Sequence, residues 1–254
     1  MLSFSNRAFQ YGDGAFTTIR VSRGHLQLWP LHWQRLALSA RRLGLAAVDQ
    51  QQVYQQALAA ISADEQVLKI LLCRGAGGRG YGTTGCQGTE VFCWTAVLPD
   101  YQSWQQQGVS VGLAAMQLSV QPLLAGLKHC SRLETILLKR EVEQSDCDEL
   151  LAGDSQGLLV EASAANVCLF IDGEWVTPEL PNAGVAGVMR QCLLDLGWCQ
   201  QARLGVGDAH RASAMLLTNS LMPAVPVRQY QQTQLDLARS QALAQRLVHY
   251  LQNH

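Results

Sequence analysis

Strand and helix signals come in mixed order along the chain. Phe16-Thr17-Thr18-Ile19-Arg20-Val21 is β-branched and aromatic, which predicts a strand. Arg23-Gly24-His25 reads as a turn, with residues 25–29 as the partner strand of a hairpin. Pro30 suits the first turn of a helix, where its missing N–H costs nothing. Apolar residues at 31, 36, 40 and 43 carry that helix over 31–45, and residues 53–61 predict a second one. Val67-Leu68-Lys69-Ile70-Leu71-Leu72-Cys73 reads as a buried strand. A glycine-dense loop follows over 74–88, then strands over 90–98 and 109–115.

The pattern changes between Pro99-Asp100 and Pro122-Leu123-Leu124-Ala125-Gly126. This places an interdomain loop at 117–126, after a small α/β domain over 1–116 and before a larger domain over 127–254. Ser131-x-x-Glu134 has the capping-box spacing and opens a helix predicted over 131–144. Short strands are expected at 149–152, 158–161, 166–171, 175–177 and 214–218, with helices at 187–196 and 235–251. Mixed order in two halves gives the α+β class.

Composition narrows the function classes. The 254 residues are 48% hydrophobic, which supports a sizeable core and excludes a mostly disordered chain. Net charge is −1 with no basic stripe, so no nucleic-acid partner is expected. No run of 18 apolar residues spans a membrane, and Met1-Leu2-Ser3-Phe4-Ser5-Asn6-Arg7 lacks the layout of a signal peptide, so a cytoplasmic protein is expected. The eight cysteines never form Cys-x-x-Cys and no His pair completes a zinc pattern. Buried or incidental thiols and no metal are the expectation.

A few residues could carry chemistry. Lys128 sits just past the glycine of the junction and before a helix, where a surface role is also open. Glu161 interrupts the apolar run Leu158-Leu159-Val160-Glu161-Ala162. A carboxylate buried there needs a charged or hydrogen-bonding partner, such as a pyridinium N–H; an edge-strand residue is the other reading. Gly184-Val185-Ala186-Gly187-Val188-Met189-Arg190 runs into a helix whose first N–H groups favour an anion. Arg35 could bind phosphate bidentately or lie exposed on its helix. Arg74 and Arg79, on the glycine-dense loop, could meet a carboxylated substrate or simply be solvated; no Gly-Lys-Ser/Thr closes a phosphate loop there.

The order of the pieces is specific. Tyr11-Gly12-Asp13-Gly14-Ala15-Phe16-Thr17-Thr18-Ile19-Arg20, His32-x-x-Arg35-Leu36, Lys128, Glu161-x-x-x-x-Asn166 and Gly187-Val188-Met189-Arg190 resemble the fold-type IV pyridoxal-phosphate enzymes over essentially the whole chain. That family contains aminotransferases for branched-chain and D-amino acids as well as a lyase. Residues 74–81, Leu127-Lys128-His129-x-x-Arg132-Leu133-Glu134 and Leu221-Met222-Pro223 look most similar to its aminodeoxychorismate lyase branch.

The resemblance implies a two-domain fold, a small α/β domain plus a larger pseudo-barrel domain. It implies pyridoxal 5'-phosphate as cofactor, 4-amino-4-deoxychorismate as substrate, a homodimer, and a place in folate biosynthesis; an aminotransferase of the same family is the rival. It matches Lys128 to the lysine that tethers the cofactor, Glu161 to the carboxylate on the ring nitrogen, and Arg35, Val188, Met189 and Ser220 to the phosphate. Thr18 stands where branched-chain aminotransferases have glycine; its hydroxyl could orient or relay the proton delivered to the leaving group, and an ordinary β-branched strand residue is the other reading. Two departures stand out. The chain starts almost at Asn6-Arg7-Ala8-Phe9, so the usual first strand is missing or short, and Ser131 stands where the lyase pattern commonly has Asn. Cys130 shares that turn.

Overall fold

The computed structural model describes residues 3–253, which fall into two compact units. The first takes the chain up to Leu98 together with Leu127–Arg132. The second takes Pro99–Gly126 and the chain from Leu133 onward. Compared with a loop expected at 117–126, the chain thus changes unit at 98/99 and returns briefly to the first at 127–132.

In the first unit the order is α1 (Arg7–Tyr11), β1 (Gly14–Ser22), β2 (His25–Leu26), α2 (Trp29–Arg42), α3 (Gln50–Ala59), β3 (Gln66–Arg74) and β4 (Thr89–Ala96). The strands pair antiparallel in the order β2-β1-β3-β4. Alternation sends Ile19, Val21, Leu68, Ile70 and Leu72 to one face, where they pack with Leu36 and Ala40 of α2 and Val53 and Ala57 of α3. Fully burying each such large side chain is worth about 1.5–3 kcal/mol. On the other face, Thr18, Lys69 and Trp94 form a row across three strands. Helix α2 ends at Arg42, short of the predicted 45, because Gly44 takes a positive φ of 63°.

The second unit contains α4 (Gln102–Gln107), β5 (Val109–Leu113), α5 (Leu133–Glu143), β6 (Glu149–Gly153), β7 (Leu159–Ala162), β8 (Asn166–Ile171), β9 (Glu174–Pro178), α6 (Val188–Asp195), β10 (Gln200–Ala202), β11 (Ala214–Thr218), β12 (Val225–Tyr230), β13 (Thr233–Gln234) and α7 (Leu237–Asn253). Its sheet runs β10-β9-β8-β11-β12-β5-β6-β7, with β13 paired to β12. The sheet curls: β7 at one end reaches the segment after β10 at the other, through Leu159 N–H to Leu204 O (2.8 Å) and the bridge Leu158–Gly205. The curl encloses Val109, Leu151, Leu159, Leu169, Met215, Leu217 and Val227.

Glu134 departs from the predicted capping box. Its carboxylate accepts from Ser119 N–H (2.9 Å), and α5 begins at Leu133. Among the described residues no helix is long and apolar enough to cross a membrane.

A buried ion cluster fixes the glycine-dense loop of the first unit. Asp13 Oδ2 accepts from Arg7 Nε (2.8 Å) and Arg74 Nε (2.9 Å), with the three side chains 16%, 4% and 13% exposed. Arg7 also donates to the carbonyls of Gly80, Tyr81 and Gly82, and Arg74 to those of Leu43 and Gly44. Asp13→Ala strands two guanidinium groups with no carboxylate between them. It should cost about 3 kcal/mol in chemical denaturation; a loss below about 0.5 kcal/mol would show that the carbonyls alone hold the arginines.

Candidate functional site

In the first unit, residues 128–130 lie along the edge of β1. Phe16 N–H donates to Lys128 O, Cys130 N–H to Gly14 O (2.9 Å each), and Ala15 and His129 form a bridge. This pairing sets Lys128 opposite Phe16, and its Nζ lies 4.9 Å from the centre of the Phe16 ring. Thr18, two residues along β1, presents its side chain to the same face. Gly12 brings the next turn close. Its φ is +68°, and a Cβ there would stand 2.3 Å from Ser131 Oγ, so glycine alone fits.

Thr17 faces α2 instead. Its Oγ1 lies 2.6 Å from His32 Nδ1 and accepts from Arg35 Nη2 at 2.6 Å. Thr17 and His32 are buried at 0% and 1% exposure. Burial lowers the His32 pKa well below its usual value, and the charges of Arg35 and Lys128 lower it further. Burial, then the charge of Arg132, brings Arg35 down to about 10. The first unit thus sets Arg35 and Lys128 near a neutral histidine, with Arg132 near Arg35, a setting that favours an anion.

In the second unit, Glu161 projects from β7. Its Oε2 accepts from Val185 N–H (2.9 Å) and sits 3.5 Å from Asn166 Nδ2, which also donates to Val185 O (2.8 Å). Asn166 therefore ties the carboxylate to the loop leading into α6. A Cβ on Gly187 would stand 2.0 Å from Asn166 Oδ1, so this approach demands glycine. The first ladder bond of α6 runs from Gln191 N–H to Gly187 O, which leaves the N–H groups of Val188 and Met189 outside the helix's own ladder. Ser220 lies just beyond the end of β11, where Thr218 is paired with Asn166. Asn219 Oδ1 accepts from Leu221 and Met222 N–H and shapes that turn.

Arg74 spends its donors on Asp13 and two carbonyls, which takes it out of the role of a loop arginine open to substrate, whereas Arg79 is exposed at the loop tip. Burial pushes the Cys130 thiol up to about 11, which keeps it protonated and a poor nucleophile. All eight cysteines are free. No cluster of three His, Cys, Asp or Glu stands ready for a metal among the described residues. Lys69, which no sequence motif marks, stands opposite Thr18 on the neighbouring strand. The signal was a single cation in the run Val67–Cys73. Thr17 and His32 stand in the pieces Tyr11–Arg20 and His32-x-x-Arg35-Leu36, but no local pattern showed that they touch.

The amino-transferase class IV family profile matches residues 14–230. Over 229 residues the chain is 35% identical to the aminodeoxychorismate lyase of Vibrio harveyi, covering 87% of this chain and 84% of that one. The solved 4-amino-4-deoxychorismate lyase from Pseudomonas aeruginosa superposes with a TM-score of 0.90 at 32% identity, over 100% of this chain and 95% of that one. A branched-chain aminotransferase from Thermoproteus uzoniensis shares the fold, with a TM-score of 0.85 at 17% identity over 99% and 89% of the two chains. The two curled sheets and these matches place the chain in the class IV aminotransferase family, the pyridoxal-phosphate enzymes of fold type IV.

Proposed function

We propose that this protein is a cytoplasmic 4-amino-4-deoxychorismate lyase of folate biosynthesis, releasing 4-aminobenzoate and pyruvate. The observation that carries this reading is the strand face shared by Thr18 and Phe16, beneath the Lys128 amine. Identity to the Vibrio lyase supports it.

The residues present fit pyridoxal phosphate. Each unit offers an anion donors: Arg35 in one, and in the other the Val188 and Met189 N–H groups, with Ser220 on the turn that follows β11. Glu161, held by Val185 N–H and Asn166, matches the ring nitrogen, and Lys128 the aldehyde. When bound, the cofactor supplies an aldehyde for the substrate amine and a protonated ring that withdraws electrons. Lys128 Nζ would take the proton from C4 of the substrate and hold it for delivery to the departing group. The C3–O bond to the enolpyruvyl group breaks, and the ring left behind becomes aromatic. Thr18 Oγ1 orients the proton delivered to the departing group. Lys69, across from Thr18, and Arg79 are the cations assigned to the substrate carboxylates.

A hydroxyl at position 18 also separates this reading from an aminotransferase, because it fills space that a substrate side chain would need. Loaded protein should form 4-aminobenzoate without added keto acid. Thr18→Val, which keeps the shape and removes the hydroxyl, should lower that rate at least about tenfold, at the low side of general-acid effects. Wild-type turnover in the valine variant would reduce Thr18 to a wall of the pocket, and transfer of an amino group to an added keto acid with no 4-aminobenzoate formed would make the protein an aminotransferase.

The protein is also read as a homodimer. Leu133, Ile136 and Leu137 lie along one side of α5 at 75%, 60% and 52% exposure, a stripe that a second copy would cover. Light scattering should give twice the chain mass, and Ile136→Glu should shift it toward the monomer. A wild-type monomer with full activity would overturn the assignment.

A further inference from the structure

The Thr17 hydroxyl is caught between a donor and a ring nitrogen. Arg35 has only N–H groups to offer, so at 2.6 Å its Nη2 donates and Thr17 Oγ1 accepts. The threonine keeps one proton of its own, and His32 Nδ1 lies 2.6 Å away. The two bonds are satisfied together only if Thr17 donates to a bare Nδ1. That makes His32 the neutral tautomer with its proton on Nε2. A protonated ring would aim a second donor at an oxygen already accepting from Arg35 and leave the hydroxyl proton without its acceptor. It would also add a charge beside Arg35 and Lys128, and the depressed pKa of His32 agrees with this bookkeeping.

The chain of bonds is directional: Arg35 to Thr17 to His32. Thr17 and His32 are both buried, and His32 sits one turn before Arg35 on α2, so the helix fixes the spacing of the two ends. Arginine has long rotamer freedom, and a guanidinium tied at one Nη by a buried acceptor has much of that freedom removed before any anion arrives.

We propose that His32 is a positioning residue: as the neutral terminal acceptor, acting through Thr17, it holds the Arg35 guanidinium aimed at the phosphoryl group of pyridoxal phosphate. The inference rests on the reading that Arg35 binds that phosphate.

The test is equilibrium dialysis of the full-length protein against pyridoxal phosphate and, separately, against pyridoxal, which has the ring and aldehyde without the phosphate. Wild type should prefer pyridoxal phosphate strongly, and Arg35→Leu should lose most of that preference. His32→Leu and Thr17→Val should each lower the preference about tenfold, the scale of one hydrogen bond to a charged group, with pyridoxal binding unchanged. The double variant should be no worse than either single one, because both cut the same chain. His32→Asn, which returns an acceptor near the position of Nδ1, should restore the preference. If Arg35→Leu loses the preference while His32→Leu and Thr17→Val keep it, the positioning role is wrong and the role of Arg35 stands. If His32→Leu and Thr17→Val weaken both ligands equally, the residues only support the fold and the proposal is overturned. If Arg35→Leu keeps the preference, the reading of Arg35 falls and the proposal with it.

Discussion

Two backbone hydrogen bonds, Phe16 N–H to Lys128 O and Cys130 N–H to Gly14 O, add residues 128–130 to the edge of β1. The other arrangements in the first unit follow from that pairing. Strand β1 has β3 along one side. Its other side is divided, with β2 taking Val21 and Ser22 and the lysine segment taking the end near Gly14. Because side chains alternate, the register decides that Lys128 shares a face with Phe16 and Thr18, while Thr17 turns to α2 and His32. A slip of one residue would put the amine on the helix side and disconnect it from Thr18. Gly12 lets the chain turn closely enough against Ser131 for the pairing to form.

The second unit solves a related problem differently. A carboxylate placed in an apolar strand is costly unless its oxygens are bonded. Glu161 meets that cost with a backbone N–H and an asparagine amide, and the same asparagine reaches the loop that opens α6. The carboxylate and the free helix N–H groups are thereby fixed to one another through Asn166. Neighbouring pairs such as Thr218 with Asn166 bring the turn carrying Ser220 to that end of the sheet.

Much of this was legible in the sequence. The alternation of Phe16–Val21, the buried run Val67–Cys73 and the period of α2 are local signals, and the structure follows them. The pieces that stayed hidden depend on distant partners. Strand β12 contains Pro226, which breaks a strand pattern, yet it sits between β11 and β5. It is tolerated because pairing with β5 begins only at Val227. Glu134 carried a helix-start signal, but Ser119 claims its carboxylate. At the candidate site, motif order named Lys128, Glu161 and Arg35, whose roles are proposals, whereas Arg74 looked like a loop arginine until Asp13 and two carbonyls took its donors. The role of Asp13 required knowing that residues 7, 13 and 74 meet.

Reduction of the loaded protein with borohydride shows which lysine binds the cofactor, the role proposed for Lys128. Reduction converts the lysine–aldehyde linkage into a stable amine, so peptide mapping can locate it. One stoichiometric adduct is expected, on the peptide carrying Lys128. An adduct on Lys69 or Lys139, with Lys128 unmodified, would contradict it.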